Sequence, residues 1–249
     1  MAKLQDPEGI EMKAVLKHLS FDGKDVLEIG CGDGRLTFKY AEMARRVVAI
    51  DPLEEGIEKA KSDQPKNLHR RLEFRVGRGE ALAFPDQSFE VVFFSWSLCC
   101  TDIPTMGKAL DEASRVLRPR GSLINIQPSL HQPFSNGAVS YLIQKKFGTT
   151  VDDERYRQSR LALKYLALIE KRFDLVAEEE FTVNTYYDTI DDAVDDSIRV
   201  RKEQYDKLDE GTKARIREML NSRMIKKKIL VQENAVLTVL RKVGRGIGK

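Results

Sequence analysis

Strand-like and helix-like segments alternate between residues 25 and 127, and this rhythm limits the fold more than any other feature of the sequence. The five strand-like segments are DVLEI, RVVAID, LEFRVG, FEVVFFS and PRGSLINIQ. Most of the stretches between them have apolar residues at helical spacing, and parallel strands need crossovers of this kind. The alternation therefore predicts a doubly wound, mostly parallel α/β sheet, with the most apolar segment, FEVVFFS, at its centre.

Further elements are predicted on both sides of this core. Residues 1–22 contain a leading helix at 11–19, with Asp6 and Pro7 suited to its cap and first turn. Beyond the core, the sequence predicts a helix at 160–171, a sixth strand FDLVAEEEFTV, two helices within 188–223 and a seventh strand ILVQENAVLTVLRKV. We see no repeat or linker, so residues 1–249 are predicted to form a single domain. It comprises a core at 23–128 and helical insertions after strands five and six, at 129–159 and 188–223, which are candidates to cover a pocket.

Composition limits the environment in which the chain works. No apolar run approaches the roughly 18 residues that a membrane span needs, and the charged N-terminus does not resemble a signal peptide. Cys31, Cys99 and Cys100 lack the paired CxxC spacing of a zinc or redox site. We therefore expect reduced thiols, a cytoplasmic protein and no metal.

The turn after the first core strand contains Gly30, Gly32 and Gly34 within the stretch GCGDG. Glycine permits positive φ and lets a ligand approach the main chain, and the exit of the first strand is where doubly wound folds bind ligands. The turn is thus a candidate ligand cradle. Alternatively, the glycines only let the next helix pack on the strand.

The second core strand ends in Asp51, at the spacing where an acidic residue in such folds accepts hydrogen bonds from ribose hydroxyls. The alternative is that Asp51 caps the helix predicted to start near Pro52. The glycine spacing is GxGxG rather than the GxGxxG of dinucleotide sites. Carboxylates at Glu28 and Asp33 would repel a pyrophosphate and attract the ammonium and sulfonium groups of S-adenosylmethionine.

Four stretches, VLEIGCGDG, VVAID, EALAFPDQSFEVV and EASRVLRPRGSL, carry a family resemblance that spans about 24–128. In this order they resemble the class I S-adenosylmethionine-dependent methyltransferases, most closely the type 11 branch with quinone-biosynthesis and other small-molecule enzymes. The resemblance implies a seven-stranded Rossmann-like sheet whose last strand is antiparallel beside the fifth. It also implies S-adenosylmethionine as cofactor, S-adenosylhomocysteine as product, and a cofactor-binding set of Glu28, Gly30, Cys31, Gly32, Gly34, Asp51, Pro52, Gly79, Glu80 and Ser95.

One position departs from the family pattern. Arg78 stands where the family commonly has an aspartate in the adenine-binding loop, and arginine has donors only. It therefore cannot accept a hydrogen bond from the adenine amino group. Gly79 and Glu80 are the predicted substitutes.

The acceptor site is weakly encoded, because methyl transfer from a sulfonium needs alignment more than it needs catalytic groups. FSWSLCC, at the end of the fourth strand, has neither the (N/D)PP(Y/F) tetrapeptide of amino-group methylases nor a Pro-Cys nucleophile. Ser95, Trp96 and Ser97 either line the acceptor site or only pack, and Cys99 and Cys100 are interpreted as ordinary loop cysteines. His131 is a candidate general base for a hydroxyl or phenol acceptor.

Several alternatives stay open on sequence alone. Aromatic residues in the insertions either cover the acceptor pocket or fill cores, namely Phe134, Tyr141, Tyr186 and Tyr187. Eight Lys or Arg with a single acid in 223–249 leave RNA, or a protein, as a rival to the favoured small-molecule acceptor. A binding subunit without activity and an NAD-dependent oxidoreductase are further alternatives. The acceptor and the oligomeric state are not predicted.

Overall fold

The structure is a computed structural model that describes residues 3–129, 151–168, 170–198 and 202–244. The chain divides into two compact units. The core unit comprises Ala14–Gln127, Arg155–Glu179 and Val236–Lys249. The second unit comprises Met1–Lys13, Pro128–Glu154 and Glu180–Ala235. That all 249 residues form one domain stays a prediction.

Nine strands are present in the described residues. They are β1 Lys3–Gln5, β2 Asp25–Ile29, β3 Arg46–Asp51, β4 Leu72–Val76, β5 Phe89–Ser95, β6 Leu117–Pro128, β7 Phe173–Tyr187, β8 Met224–Ile225 and β9 Lys228–Lys242. The predicted count of seven was wrong because β1 and β8, of three and two residues, are too short to show a periodicity.

The described helices are α1 Ile10–Leu16, α2 Thr37–Tyr40, α3 Glu54–Asp63, α4 Ile103–Val116, α5 Val151–Leu168, α6 Ile190–Ile198, α7 Lys202–Asp206 and α8 Glu210–Asn221. Short 3-10 turns occur at Lys66–Leu68 and Leu98–Cys100. The two predicted helices of 188–223 are three in the structure. Helix α5 begins at Val151, inside the predicted insertion 129–159, and ends at Leu168 instead of residue 171.

The sheet of the core unit confirms the predicted doubly wound architecture. Its strands follow the order β7–β9–β6–β5–β2–β3–β4, and the pairs from β6 to β4 are parallel. Strand β5 lies between β6 and β2, which is the predicted central position. The last strand, β9, lies beside β6. It ends where β6 and β7 begin, because Lys242 binds the Leu117 carbonyl at 2.8 Å and the Val243 N–H binds the Arg172 carbonyl at 3.0 Å. It is therefore antiparallel to both, as the resemblance implied.

Both faces of this sheet are packed. On one face, alternate side chains of the central strands meet the apolar stripe of α4, which includes Met106, Ala109 and Ala113. On the other face, Phe21 stacks on Tyr40 with ring centroids 4.5 Å apart, and both rings pack near Phe93 of β5. Burial of this apolar surface is the main force that fixes the strand order and so brings the strand exits together.

The second unit has a separate apolar core. Strand β1 pairs antiparallel with β7, and β8 with β9. Helices α6 and α8 pack there through Ala193, Val194, Ile216 and Leu220. Tyr187 is buried in the same core, which supports the packing interpretation of this residue. Within the described residues, no helix is long and apolar enough to cross a bilayer.

Candidate functional site

Three strand exits meet at one edge of the core unit. Strands β3 and β5 flank β2 in parallel register, with Ile29 opposite Ile50 on one side and Phe94 on the other. Parallel neighbours end at the same edge, so the glycine turn after β2 lies between Asp51 and Ser95. The candidate site is therefore assembled from residues far apart in the chain, such as Ile29 and Ser97, which are 68 positions apart and hydrogen-bonded.

Asp51 holds the glycine turn to the end of β3. Its Oδ2 accepts the Gly32 N–H at 2.9 Å, and its Oδ1 accepts the Leu53 N–H at 2.9 Å. The carboxylate is only 8% exposed. Each oxygen of a carboxylate can accept two hydrogen bonds, so these contacts leave capacity toward a ligand hydroxyl. Leu53 precedes α3, which shows that Asp51 combines a turn-forming role with the predicted ligand-binding position.

All three glycines have left-handed backbones, but the space at their Cβ positions differs. A Cβ at Gly34, where φ is +79°, would lie 2.9 Å from Phe74 Cζ and 3.0 Å from Phe38 Cζ, so this glycine is required for packing. A Cβ at Gly30 would overlap the side chain of Ser97, which is again a packing requirement. A Cβ at Gly32, where φ is +54°, would meet no atom within 4 Å. Among these three glycines, Gly32 is thus the one whose Cβ position is open.

Glu28 lies beneath the turn and is 1% exposed. Its Oε2 accepts hydrogen bonds from Thr37 Oγ1 at 2.6 Å and from Tyr40 Oη at 2.8 Å. Burial and the negative charge of Glu28 raise the pKa of Tyr40 well above its ordinary value. These contacts anchor the single-turn helix α2 on β2. Direct contact between Glu28 and a cofactor stays a prediction.

Cys31 and Pro52 belong to the same edge but differ in exposure. Cys31 is buried, and burial together with the charges of Glu28 and Asp51 raises the pKa of its thiol. A thiol with a raised pKa is a poor nucleophile. Pro52 is exposed, and the following residue, Leu53, is 69% exposed. Leu53 is thus an exposed apolar side chain at this edge that was not predicted from the sequence, where its only mark is an isolated leucine before a polar helix.

The loop after β4 lies beside these residues. The Gly77 N–H binds the carbonyl of Asp51 at 3.0 Å, and a Cβ at Gly79 would lie 3.0 Å from Ile29 Cγ2. Arg78 extends into solvent with a side chain 70% exposed, and its guanidinium is 3.8 Å from the Glu80 carboxylate, which is 27% exposed. Gly79 and Glu80 are therefore brought to the same edge as Asp51.

The exit of β5 completes the edge. Ser95 is 9% exposed, and Trp96 has a left-handed backbone with φ of +58°. Ser97 donates a hydrogen bond to the carbonyl of Ile29. The thiol of Cys100 contacts the carbonyl of Trp96 at 3.3 Å, while Cys99 is buried.

The remaining sequence candidates lie elsewhere. His131, Phe134 and Tyr141 lie outside the described residues. In the second unit, Tyr186 donates to Glu8 at 2.9 Å. Among the described side chains, no three His, Cys, Asp or Glu groups come together as a metal ligand set.

The negative charge of the carboxylates at this edge favours a positively charged ligand. Three carboxylates, Glu28, Asp33 and Asp51, belong to the glycine turn or the strands beside it. Their joint field would repel the two negative charges of a pyrophosphate and attract a positively charged ligand. The open Cβ position at Gly32, the remaining hydrogen-bonding capacity of Asp51 and this field are compatible with a positively charged ligand that carries hydroxyl groups.

Comparison with known proteins gives a consistent picture. A family described as a methyltransferase domain matches residues 27–125. A curated relative, the ubiquinone/menaquinone biosynthesis C-methyltransferase UbiE of Rickettsia massiliae, is 36% identical over 109 residues, which cover 41% of this chain and 43% of the relative. The match thus spans less than half of that relative's length.

Solved structures agree with the fold over a larger part of the chain. A provisionally assigned methyltransferase from Bacillus halodurans has a TM-score of 0.62 at 18% identity, covering 93% of this chain and 98% of its own. The [4+2]-cyclase SpnF has a TM-score of 0.54 at 17% identity, covering 94% and 81%. At these identities the likeness shows the fold alone. That a cyclase shares the fold means that the fold does not determine the reaction.

Proposed function

We propose a function on the premise that this chain belongs to the class I S-adenosylmethionine-dependent methyltransferases, with residues 27–125 as its methyltransferase domain. The proposal is that the chain transfers a methyl group from S-adenosylmethionine to a small-molecule acceptor. The observation that carries it is the hydrogen bond of 2.9 Å by which Asp51 holds the Gly32 N–H, in a turn where the Cβ position of Gly32 is open.

Different residues at this edge would bind different parts of the cofactor. The main chain at Gly32 would receive the amino-acid end, and Asp51 would accept hydrogen bonds from the ribose hydroxyls. Leu53, Gly79 and Glu80 would border the base. When bound, S-adenosylmethionine supplies both the electrophilic methyl group and a neutral thioether leaving group. The chain then has to align the acceptor for an in-line displacement and exclude water.

A small-molecule acceptor is favoured over RNA by the contacts of the basic C-terminal segment. Lys228 pairs with Asp188 at 2.6 Å, Lys242 binds the carbonyls of Ser114 and Leu117, and Arg223 donates to Gln232 at 2.8 Å. These three of the eight cations have partners within the protein, which makes them less available to phosphates, whereas Lys226, Lys227 and Arg241 are exposed. The name of the UbiE relative also points to small-molecule C-methylation. Ser95 as a lining residue and His131 as a general base are part of this proposal.

Calorimetric titration with S-adenosylhomocysteine is the first test. The unmodified chain should bind it, and NAD should give no heat and no thermal stabilisation. Asp51→Ala should weaken binding roughly 10- to 100-fold, because it removes charge-assisted hydrogen bonds. Asp63→Ala, which removes a surface carboxylate paired with Lys59, is the matched control and should leave the affinity unchanged. Equal losses in both variants would contradict the assignment of Asp51.

A second experiment separates the rival functions. Methyl-labelled S-adenosylmethionine is incubated with the protein and either a metabolite extract or an RNA fraction. Label in a metabolite supports the proposal, and label in RNA supports the rival acceptor class. Binding of S-adenosylhomocysteine without any transfer of label would support a subunit that binds the cofactor but does not methylate.

A further inference from the structure

The backbone of Trp96 is held in an unfavourable conformation at the exit of β5. Its N–H donates to the Ile126 carbonyl at 2.8 Å and so extends the β5–β6 ladder, yet its φ is +58°. Bulky residues rarely adopt this conformation, and such strain persists only where surrounding contacts enforce it. The left-handed turn directs the chain away from β6 and toward β2.

Ser97 is the residue that this turn brings to the end of β2. Its Oγ donates to the carbonyl of Ile29, the last residue of β2. The approach is so close that a Cβ at Gly30 would overlap Ser97 Cβ and lie 2.7 Å from Ser97 Oγ. The carbonyl of Ser97 accepts the Cys100 N–H at 3.0 Å, which closes the 3-10 turn that follows.

The glycine turn is therefore fixed from two sides. On the β3 side, the Gly30 N–H binds the Ile50 carbonyl at 2.7 Å and Asp51 binds the Gly32 N–H. On the β5 side, Ile29 pairs with Phe94 in the sheet, and Ser97 adds a hydrogen bond to the Ile29 carbonyl and a close approach to Gly30. One hydroxyl thus joins the loop proposed to bind the cofactor to the loop proposed to line the acceptor.

We propose that Ser97 is a positioning residue, which sets the glycine turn for cofactor binding and keeps it at a fixed distance from the acceptor loop. The inference rests on the proposed function, because methyl transfer depends on the alignment of these two loops. Without the Ser97 hydroxyl, the Ile29 carbonyl loses its bond from the loop after β5, so the start of the turn has more freedom to lose when the cofactor binds, and that loss weakens affinity.

The test compares two serines that make the same kind of bond. Ser97→Ala should weaken binding of S-adenosylhomocysteine roughly 3- to 10-fold in calorimetry. Ser88→Ala is the matched control, because Ser88 Oγ donates to the Pro85 carbonyl at 2.6 Å in an exposed loop. It should leave the affinity within about twofold of the unmodified chain. Ser97→Thr keeps the hydroxyl and should restore most of the affinity.

Urea unfolding of the same variants separates positioning from stability. A Ser97→Ala variant with a lower unfolding midpoint but unchanged affinity would overturn the inference, as would equal affinities for Ser97→Ala and Ser88→Ala. A Ser97→Thr variant as weak as Ser97→Ala would also overturn it. If the unmodified chain itself fails to bind S-adenosylhomocysteine, the proposed function is what fails and the inference goes with it.

Discussion

Gly32 and Gly34 have the same backbone handedness, but the Cβ position is open at Gly32 and blocked by aromatic rings at Gly34. Alanine at Gly32 should cost about 1–2 kcal/mol of unfolding free energy, which is the penalty for a left-handed residue. Alanine at Gly34 should cost about 2–4 kcal/mol, because the new Cβ also meets the rings of Phe38 and Phe74 near 3 Å. Urea unfolding would measure both variants.

Gly32→Ala should weaken ligand binding more than Gly34→Ala does, although it should lower the unfolding free energy less. Gly32→Ala is expected to lose affinity for S-adenosylhomocysteine out of proportion to its small loss of stability, because its methyl group projects into the open space. A Gly32→Ala variant that binds as the unmodified chain does would show that the ligand does not approach this glycine.

The thiol of Cys31 and the phenol of Tyr40 are buried at the glycine turn, so we expect the folded state to lose stability at alkaline pH. The pKa values of Cys31 and Tyr40 are raised from ordinary values of 9.0 and 10.0, chiefly by burial. Above those values the unfolded chain loses protons that the folded chain retains, so the unfolding free energy falls as the pH rises. The slope is about 1.4 kcal/mol per pH unit for each group.

Unfolding in urea between pH 8 and pH 11 checks this dependence. Tyr40→Phe should flatten the fall above pH 10, and Cys31→Ala should flatten its beginning near pH 9. Tyr165→Phe is the control, since Tyr165 is 52% exposed and its replacement should leave the profile unchanged. Parallel profiles for all three variants would contradict the assignment.

The role of a residue could be predicted from the sequence where a side chain suited to bind a ligand occurs at a position typical of ligand binding. Asp51 ends an apolar strand and follows the glycines at a known spacing, so its place at the site edge was predictable. Ser97 was not distinguishable from Ser95, because its bond to Ile29 depends on the left-handed backbone of Trp96. Nothing in a single sequence marks a tryptophan for that conformation.

At the scale of elements, helix α4 is tied to the loop after β4 by Arg115 and by Glu112, which accepts the Leu82 N–H at 2.9 Å. Arg115 donates to the carbonyls of Leu82 at 3.0 Å and Phe84 at 2.8 Å, and also pairs with Glu112 and Asp86. These partners raise the pKa of the guanidinium, so it stays charged. The clamp holds the loop that carries Gly79 and Glu80 toward the site.

Lysine cannot reproduce this clamp, because only a guanidinium presents several donors in a planar fork. Arg115→Lys should lower the unfolding free energy by about 1–2 kcal/mol through the loss of the two carbonyl bonds. Arg75→Lys is the matched control, since Arg75 pairs with Glu73 in an exposed position and should change the free energy by less than about 0.5 kcal/mol. Equal effects would show that the Arg115 clamp is no more than a surface pair.

Helices and strands were predictable where a local sequence pattern marks them. They were missed where they form by pairing with a segment far away in the chain. The parallel strands of the core carry apolar runs that identify them directly. Strand β7 was predicted to end at 183 but continues to Tyr187, because pairing with the unpredicted β1 extends it. Helix α2 spans only Thr37–Tyr40, where the buried Glu28 anchors it.

At the scale of the whole molecule, the second unit was not predictable because three separated segments build it. Met1–Lys13, Pro128–Glu154 and Glu180–Ala235 belong together only through long-range contacts. The helices of 188–223 were predicted as an insertion, and their apolar faces fill a core that includes Tyr187 and Val231. Periodicity identifies an amphipathic helix but not the partner on which its apolar face packs.

The division into two units leads to a prediction about which amides a ligand protects. All proposed cofactor contacts, from Glu28 to Ser97, belong to the core unit. A ligand that binds one part of a protein suppresses only those openings that disrupt its site. Saturation with S-adenosylhomocysteine should therefore slow hydrogen exchange in peptides covering 27–53 and 77–97. Amides of α8, Glu210–Asn221, should exchange at the rate of the free protein in the same experiment. Equal slowing in α8 would mean that the two units open together and that the ligand stabilises the chain as one cooperative body.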